Sequence, residues 1–154
     1  MNYEKYENEL VERLAIKGAD TKVLPHVATL NEPRQTAKPQ LFVIINGANF
    51  ESPDNLGNSA QLETVQGEIF IRAKHRRGKL GIFHLYELLT DLLMGYRLEG
   101  AKTSIVFNQF GYVAGIQNNW QYALTFSFTA YRMPKEVTEE YVLIKEINTP
   151  IKSK

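Results

Sequence analysis

Residues 120–132, WQYALTFSFTAYR, decide the fold of this chain. Large apolar and aromatic side chains fall on alternate positions, with smaller, mostly polar side chains between them. This period of two, free of Pro and Gly, predicts a long β-strand with one buried face. The buried face is expected to hold Trp120, Tyr122, Leu124, Phe126, Phe128 and Ala130. The other face, with Gln121, Thr125, Ser127 and Thr129, is expected to meet water or another chain.

Strand-like segments also precede this stretch. Asn118 and Asn119 suit a tight hairpin turn, because Asn tolerates positive φ. Residues 103–107 and 112–117 read as strands leading into that turn. Residues 61–74 predict a further long strand, in which Gly67 indicates a bulge or a bend.

Two shorter segments complete the predicted sheet. The apolar run 41–45, LFVII, is typical of a strand covered on both faces, so we place it centrally. Residues 23–29 could form a short strand, weakened by Pro25.

Two segments have a helical period instead. Residues 3–16 predict an amphipathic helix, capped by Asn2 and closed by Gly18. Its Glu-rich side is either a solvated face or a docking face. A second, more apolar helix begins at Ile82 and ends at Gly95 or Gly100.

This order of elements predicts an α+β fold, a mostly antiparallel β-sheet with two α-helices packed on one face. The length of 154 residues suits a single domain, which we expect to span 1–148. Residues 136–147 are either a last strand or a tail, and 149–154 are expected to be a flexible C-terminal tail.

Composition excludes several classes of function. There is no cysteine, so disulfides, thiolate metal sites and cysteine nucleophiles are ruled out. The 18 basic residues nearly balance the 17 acidic ones, so global charge predicts neither a nucleic-acid binder nor a membrane-surface protein. The acidic N-terminus is unlike a signal peptide, and no apolar run is long enough for a membrane helix. We expect a soluble protein.

Catalytic signatures such as GxSxG, GxxxxGK[ST], GxGxxG and HExxH do not occur. His84, Glu87 and Asp91 have a spacing that could place them around one metal ion, but the solvated side of an amphipathic helix has the same spacing. We therefore expect no enzyme, no catalytic residue, no cofactor and no metal site.

A basic run at a strand-to-helix junction is the main candidate for an interface. A helix N-terminus beside it could hold a phosphate or an acidic protein surface. An ordinary solvated loop and a passing contact with nucleic acid are the alternatives. Together with the turn-rich loop 51–58, the candidate interface residues are Arg72, Lys74, His75, Arg76, Arg77, Lys79, Asp54 and Asn55.

The ordered features LFVIING, the basic turn, GIFHLYELLTDLLMG and NNWQYALTFSFTAYR resemble the small minor tail proteins of Mu-like phages and prophages, and more loosely phage tail terminators. The resemblance implies a small α+β structural protein that forms a homohexameric ring on the end of the tail tube, stops its polymerisation and presents a head-joining surface. The implied partners are other copies of the chain, tail tube and sheath proteins, and a head-completion or neck protein, with no specific nucleic acid and no membrane. The implied location is the virion tail, and the host cytoplasm during assembly.

Two rival hypotheses remain from the residues. A small-ligand-binding or enzymatic domain would need a pocket between the second helix and the aromatic strand, for which Tyr86, Tyr122, Tyr131 and His84 are the available polar groups. A single-stranded nucleic-acid binder would use the sheet face. That face lacks alternating aromatic and basic residues.

Overall fold

A computed structural model of the chain describes residues 2–31, 38–52, 60–116 and 118–133. Within these ranges five strands form one sheet, ordered β1-β2-β3-β5-β4. The strands are β1 (Asp20–Val23), β2 (Gln40–Phe50), β3 (Gln61–Ala73), β4 (Val106–Ile116) and β5 (Asn119–Arg132). The helices are α1 (Tyr3–Arg13) and α2 (Ile82–Leu93), with a short 3-10 helix at Val27–Asn31. The predicted α+β class is confirmed.

The sheet is antiparallel except at one edge. Strands β2, β3, β5 and β4 pair antiparallel in that order, whereas β1 pairs parallel to β2. The middle of the five strands is β3, so the apolar run of β2 lies one strand away from its predicted central place. Both helices pack on the same face, and one apolar core lies between them and the sheet.

The long strand β5 confirms the period-two prediction. Tyr122, Leu124, Phe126 and Phe128 are buried in the core, and Trp120 is partly buried against it. The opposite face is less open than expected, since Gln121 is only 3% exposed. Because the 3-10 helix follows β1 on that side, a second small apolar cluster forms there. It comprises Leu24, Phe42 and Phe70, with Leu30, Ile44 and Ala123 against them.

Gly67 lies at a β-bulge, as its position in the sequence suggests, but the extra residue of the bulge is in the neighbouring strand β2. The register between β2 and β3 shifts between Ile45 and Gly47, opposite Gly67. A Cβ on Gly67 would lie 2.5 Å from Cζ of Phe126, so glycine lets that ring cross the strand. Helix α1 supports the bulge, because Glu7 Oε2 accepts the N–H of Ile45 at 2.8 Å.

Strand β4 corrects the prediction of two short strands. It is continuous, with register shifts between Phe107 and Gln109 and between Tyr112 and Ala114. Each shift breaks the alternation of side chains, which is why the sequence pattern is interrupted there. A hairpin turn is confirmed at Asn118, which has a φ of +68°, but Asn119, predicted for the same turn, already belongs to β5 and pairs with Ile116.

Helix α2 follows its predicted limits, whereas α1 begins as predicted but ends at Arg13, three residues before the predicted end at Ile16. The Asn2 side chain accepts the N–H of Lys5 at 2.8 Å, and α2 is followed by Gly95 at φ +79°. The Glu-rich side of α1 is only partly solvated, because Glu9 accepts hydrogen bonds from the Tyr96 hydroxyl and from the N–H of Glu99. The predicted strand at 23–29 is wrong: β1 ends at Val23, and Pro25 has no N–H to continue a ladder.

Candidate interaction surface at the basic end of the sheet

The turn between β3 and α2 is built by backbone hydrogen bonds. The N–H of Ile82 donates to the carbonyl of His75 at 2.9 Å, and the N–H of Phe83 donates to the carbonyl of Arg76 at 3.0 Å. Gly78, at φ +88°, supplies the left-handed conformation that folds the turn back on the helix. Residues 74–79 are thereby presented in one defined shape.

These hydrogen bonds change the expected role of the helix N-terminus. An anion site at a helix start depends on free backbone N–H groups of the first turn. Here the first two of these groups, on Ile82 and Phe83, already donate to carbonyls of the basic turn. The start of α2 is therefore not a ready phosphate cradle, and the charge of the turn comes from its side chains.

His84 also serves the turn. Its Nδ1 accepts the N–H of Leu80 at 2.9 Å, and Leu80 has the strained φ of +60°. Glu87 and Asp91 are exposed on the same helix. Across the described parts of the chain, no three His, Cys, Asp or Glu side chains gather as a metal site would require.

The turn is strongly and openly positive. Lys74, His75, Arg76, Arg77 and Lys79 are all exposed. The two ion pairs of the described residues, Lys38–Asp20 and Arg132–Glu63, do not involve them. The sequence has no Asp or Glu between Glu68 and Glu87, so no acidic residue near the turn in sequence offsets this positive charge.

Arg76 is held in place by aromatic rings. Its guanidinium lies 5.3 Å from the ring centroid of Phe83 and 5.1 Å from that of Trp120. Both distances are within the range for cation–π attraction. The basic turn is thus fastened to the first residues of both α2 and β5.

Arg72 does not belong to this exposed group, although the sequence places it in the same run. It is 2% exposed and lies on the sheet face covered by the 3-10 helix. Its guanidinium donates to Gln121 Oε1 and to the carbonyls of Thr29 and Leu30. The reason is strand alternation, because Arg72 still lies within β3 whereas the turn begins after Ala73.

Two open grooves flank the turn and share Lys74 and His75. The larger, which we call the basic groove, has a volume of about 670 Å³. It is lined by Lys74, His75, Tyr112, Gly115, Asn118, Asn119 and Trp120. The smaller, of about 390 Å³, is lined by Gly18, Lys38, Pro39, Lys74, His75, Lys79 and Leu80. Asp54 and Asn55, also predicted for the interface, lie outside the described residues.

The ligand pocket of the rival hypothesis is filled by aromatic rings. Phe110 stacks on Tyr86 with centroids 4.1 Å apart and on Tyr122 at 5.3 Å. Phe83 meets Tyr122 edge-on at 5.8 Å. Tyr131 lies on the other face of the sheet, where its hydroxyl accepts a hydrogen bond from Lys102. The four polar groups therefore do not converge on a cavity.

A buried carboxylate, which the sequence pattern did not reveal, lies at the opposite end of the sheet. Glu63 is 1% exposed and accepts hydrogen bonds from the Tyr3 hydroxyl and from Arg132 Nη2. Burial first, and then the hydrogen bond to Glu63, raises the pKa of Tyr3 above its usual value. The hydrogen bond to Glu63 likewise raises the pKa of Arg132. This cluster fastens α1 to the sheet.

The edge strand β4 is the second surface feature that the sequence did not single out. Within the described ranges it has β5 on one side and no strand on the other. Its sequence, VFNQFGYVAGI, contains no charged residue. Val106, Tyr112 and Val113 are 56%, 57% and 47% exposed. An uncharged edge with exposed β-branched and aromatic side chains is a template for pairing with another chain.

The family described as Gp37 protein matches residues 10–149. This match covers all five strands, α2 and the basic turn. The chain belongs to the Gp37 family. It is therefore a phage protein, which confirms the phage origin that the sequence resemblance implied.

Membership of the Gp37 family indicates a phage structural protein. A search of curated proteins finds no relative of this Gp37 chain. In the part of the chain that the structure describes, no helix has the length and apolar character needed to cross a membrane.

Proposed function

We propose that this Gp37-family protein is a tail terminator, a structural protein without enzymatic activity. In this role it assembles as a homohexameric ring on the end of the tail tube, stops tube polymerisation and offers a joining surface to a neck or head-completion protein. The phage family, the small α+β fold and the resemblance of the sequence to minor tail proteins support this function.

The observation that carries the proposal is the difference between the two edges of the sheet. Strand β1 is four residues long and includes Asp20 and Lys22, charged residues that discourage strand pairing. Strand β4 is eleven residues long, uncharged and exposed. A ring requires a contact between two different patches, since a patch that contacts itself closes a dimer. In the proposed ring, the open β4 edge of one copy therefore contacts a different patch of the next copy, and the charged β1 edge is protected from pairing.

The size of β4 is adequate for this contact. At about 3.4 Å per residue, eleven residues give an edge about 37 Å long. A stable contact buries on the order of 800 Å² per partner. An edge of this length, together with the exposed side chains of Val106 and Val113, can supply a large part of that buried area.

The basic end gives the ring a second, separate surface. The turn 74–79 lies where β3 ends and β5 begins, at one end of the strands rather than along an edge. In a ring whose lateral contacts use the β4 edge, this end is free to face the tail tube or the neck. The charged side chains of the turn would then serve the axial contact and Val106 and Val113 the lateral one.

Sedimentation equilibrium of the purified full-length protein, over a range of concentrations, tests the ring directly. We expect the wild type to form hexamers, and Val113→Lys to remain monomeric because it places a charge on the open edge. Gln66→Lys is the matched control, since Gln66 is also exposed but lies on the central strand β3. A wild type that stays monomeric at every concentration, or a Val113→Lys variant that assembles normally, contradicts the proposal.

A further inference from the structure

The basic groove combines positive charge with exposed aromatic surface. Lys74 and His75 supply the charge, and Tyr112 and Trp120 supply the aromatic rings. Tyr112 is 57% exposed and meets Trp120 edge-on, with ring centroids 5.9 Å apart. Tyr and Trp are among the residue types that contribute most binding energy at protein interfaces.

The groove is already shaped before any partner arrives. The guanidinium of Arg76 lies over the Trp120 ring at 5.1 Å. The hydrogen bonds from Ile82 and Phe83 fix the carbonyls of the turn that carries Lys74. A rigid surface loses little conformational entropy on binding, so less of the favourable contact free energy is offset by ordering of the surface.

The charge of the groove identifies the chemistry of its occupant. The described lining residues include no carboxylate, and β4 has no charged residue at all. Lys79 in the adjoining smaller groove extends the positive surface around the turn, whereas Lys38 in that groove is paired with Asp20. The complementary ligand is therefore rich in carboxylates or phosphates.

Two observations favour carboxylates on a protein over the phosphates of a nucleic acid. The first amides of α2, the strongest potential phosphate donors at this end, are already used by the carbonyls of His75 and Arg76. Tyr112 and Trp120 are inclined to each other by 67°, so they offer no parallel platform on which successive bases could stack.

We propose that the basic groove, together with Lys79 of the adjoining smaller groove, binds an acidic segment of a partner protein, with its carboxylates on Lys74 and Lys79 and its apolar side chains against Tyr112 and Trp120. This inference rests on the proposed function in one respect, because the segment would belong to a tail or neck protein that the ring abuts. The binding itself requires only this combined surface of the basic groove and Lys79, which one chain supplies complete.

Fluorescence anisotropy on the full-length protein tests the inference with defined probes. The first probe is a labelled twelve-residue peptide in which glutamate alternates with leucine, and the second is its twin with glutamine in place of glutamate. A thymidine oligonucleotide of the same length is the third. We expect the glutamate peptide to bind about tenfold or more tightly than either other probe.

Matched variants locate the binding to the groove. Lys74→Gln combined with Lys79→Gln should weaken the glutamate peptide about tenfold, whereas Lys102→Gln, an exposed lysine near Thr129 at the other end of β5, should leave its affinity unchanged. Equal affinity for the two peptides, tighter binding of the oligonucleotide, no binding of the glutamate peptide, or an unaffected double variant overturns the inference.

The oligomeric state of the same samples separates this inference from the proposed function. Hexamers that do not bind the glutamate peptide contradict the inference and leave the ring in place. Monomers that bind the peptide through Lys74 and Lys79 contradict the ring and support the groove.

Discussion

Arg72 and Arg76 lie four positions apart in one basic run, and their surroundings are opposite. Arg72 is 2% exposed and donates hydrogen bonds to Gln121 and to two backbone carbonyls. Arg76 is exposed and stacks on Phe83 and Trp120 at the end of the sheet. The end of β3 at Ala73 separates the two.

This difference shows that a run of charge in a sequence is not necessarily a surface. Inside a strand, the alternation of side chains assigns each residue to a face, whatever its charge. Beyond the strand end, the turn points its side chains outward. We therefore expect Arg72 to contribute to stability, and the residues of the turn to contribute to binding.

The largest effect on stability is expected for Arg72→Met. The substitution removes the donor to Gln121 and to the carbonyls of Thr29 and Leu30 and leaves these buried groups unsatisfied. We expect a loss of about 3 kcal/mol in the free energy of unfolding, measured by urea denaturation. Arg77→Met is the control and should be nearly neutral. Equal midpoints for the two variants would show that burial does not distinguish these arginines.

Arg132→Ala should have the next largest effect. Arg132 is partly exposed, with 43% of its side chain accessible, but it donates to the buried Glu63 at 3.2 Å. Losing this donor should cost about 2 kcal/mol, less than for Arg72 because water screens part of the interaction. Unfolding of Arg132→Ala, Glu63→Gln and the double variant measures the coupling. Additive effects would argue that the two side chains do not interact.

Arg76→Ala should cost about 1 kcal/mol, the value of cation–π contacts at exposed sites. Arg76→Lys keeps the charge and should lose less. Thermal unfolding of both variants, compared with the wild type, provides the measurement. If alanine and lysine leave the unfolding temperature unchanged, the stacking on Phe83 and Trp120 does not hold the turn in place.

The smallest effect on stability is expected for Arg77→Glu. Arg77 is exposed and takes part in no ion pair of the described residues, so the free energy of unfolding should change by less than about 0.5 kcal/mol. Its charge nevertheless faces the proposed tube or neck contact. We expect the Arg77→Glu variant to fold but to complement only poorly a phage that lacks the gene. Full complementation by Arg77→Glu would show that the charge of this turn has no role in binding and that the turn is only solvated.

Much of the fold follows from the sequence because its signals are local and periodic. The alternation in β5, the apolar stripe of α2 and the caps at Asn2 and Gly95 were sufficient to predict those elements. The bulges of β4 were not predictable, since a register shift depends on the partner strand. For the same reason, the sequence could not show that the extra residue of the bulge lies in β2, opposite Gly67.

The candidate site was predicted in part. The exposed turn from Lys74 to Lys79 is where the sequence placed it, because five basic groups with no acidic neighbour rarely become buried. Arg72 was misplaced, since its cover is a 3-10 helix more than forty positions earlier in the chain. The open edge of β4 could not be inferred either, because strand order is a property of the whole sheet.

The length of phage tails, measured by electron microscopy, tests the central claim most directly. The comparison is between a phage lacking this gene, the same phage supplied with the wild-type protein, and the phage supplied with Val113→Lys. The proposed function predicts tails of irregular, extended length without the protein, normal tails with the wild type, and no rescue by Val113→Lys. Tails of normal length in the complete absence of the protein would contradict it.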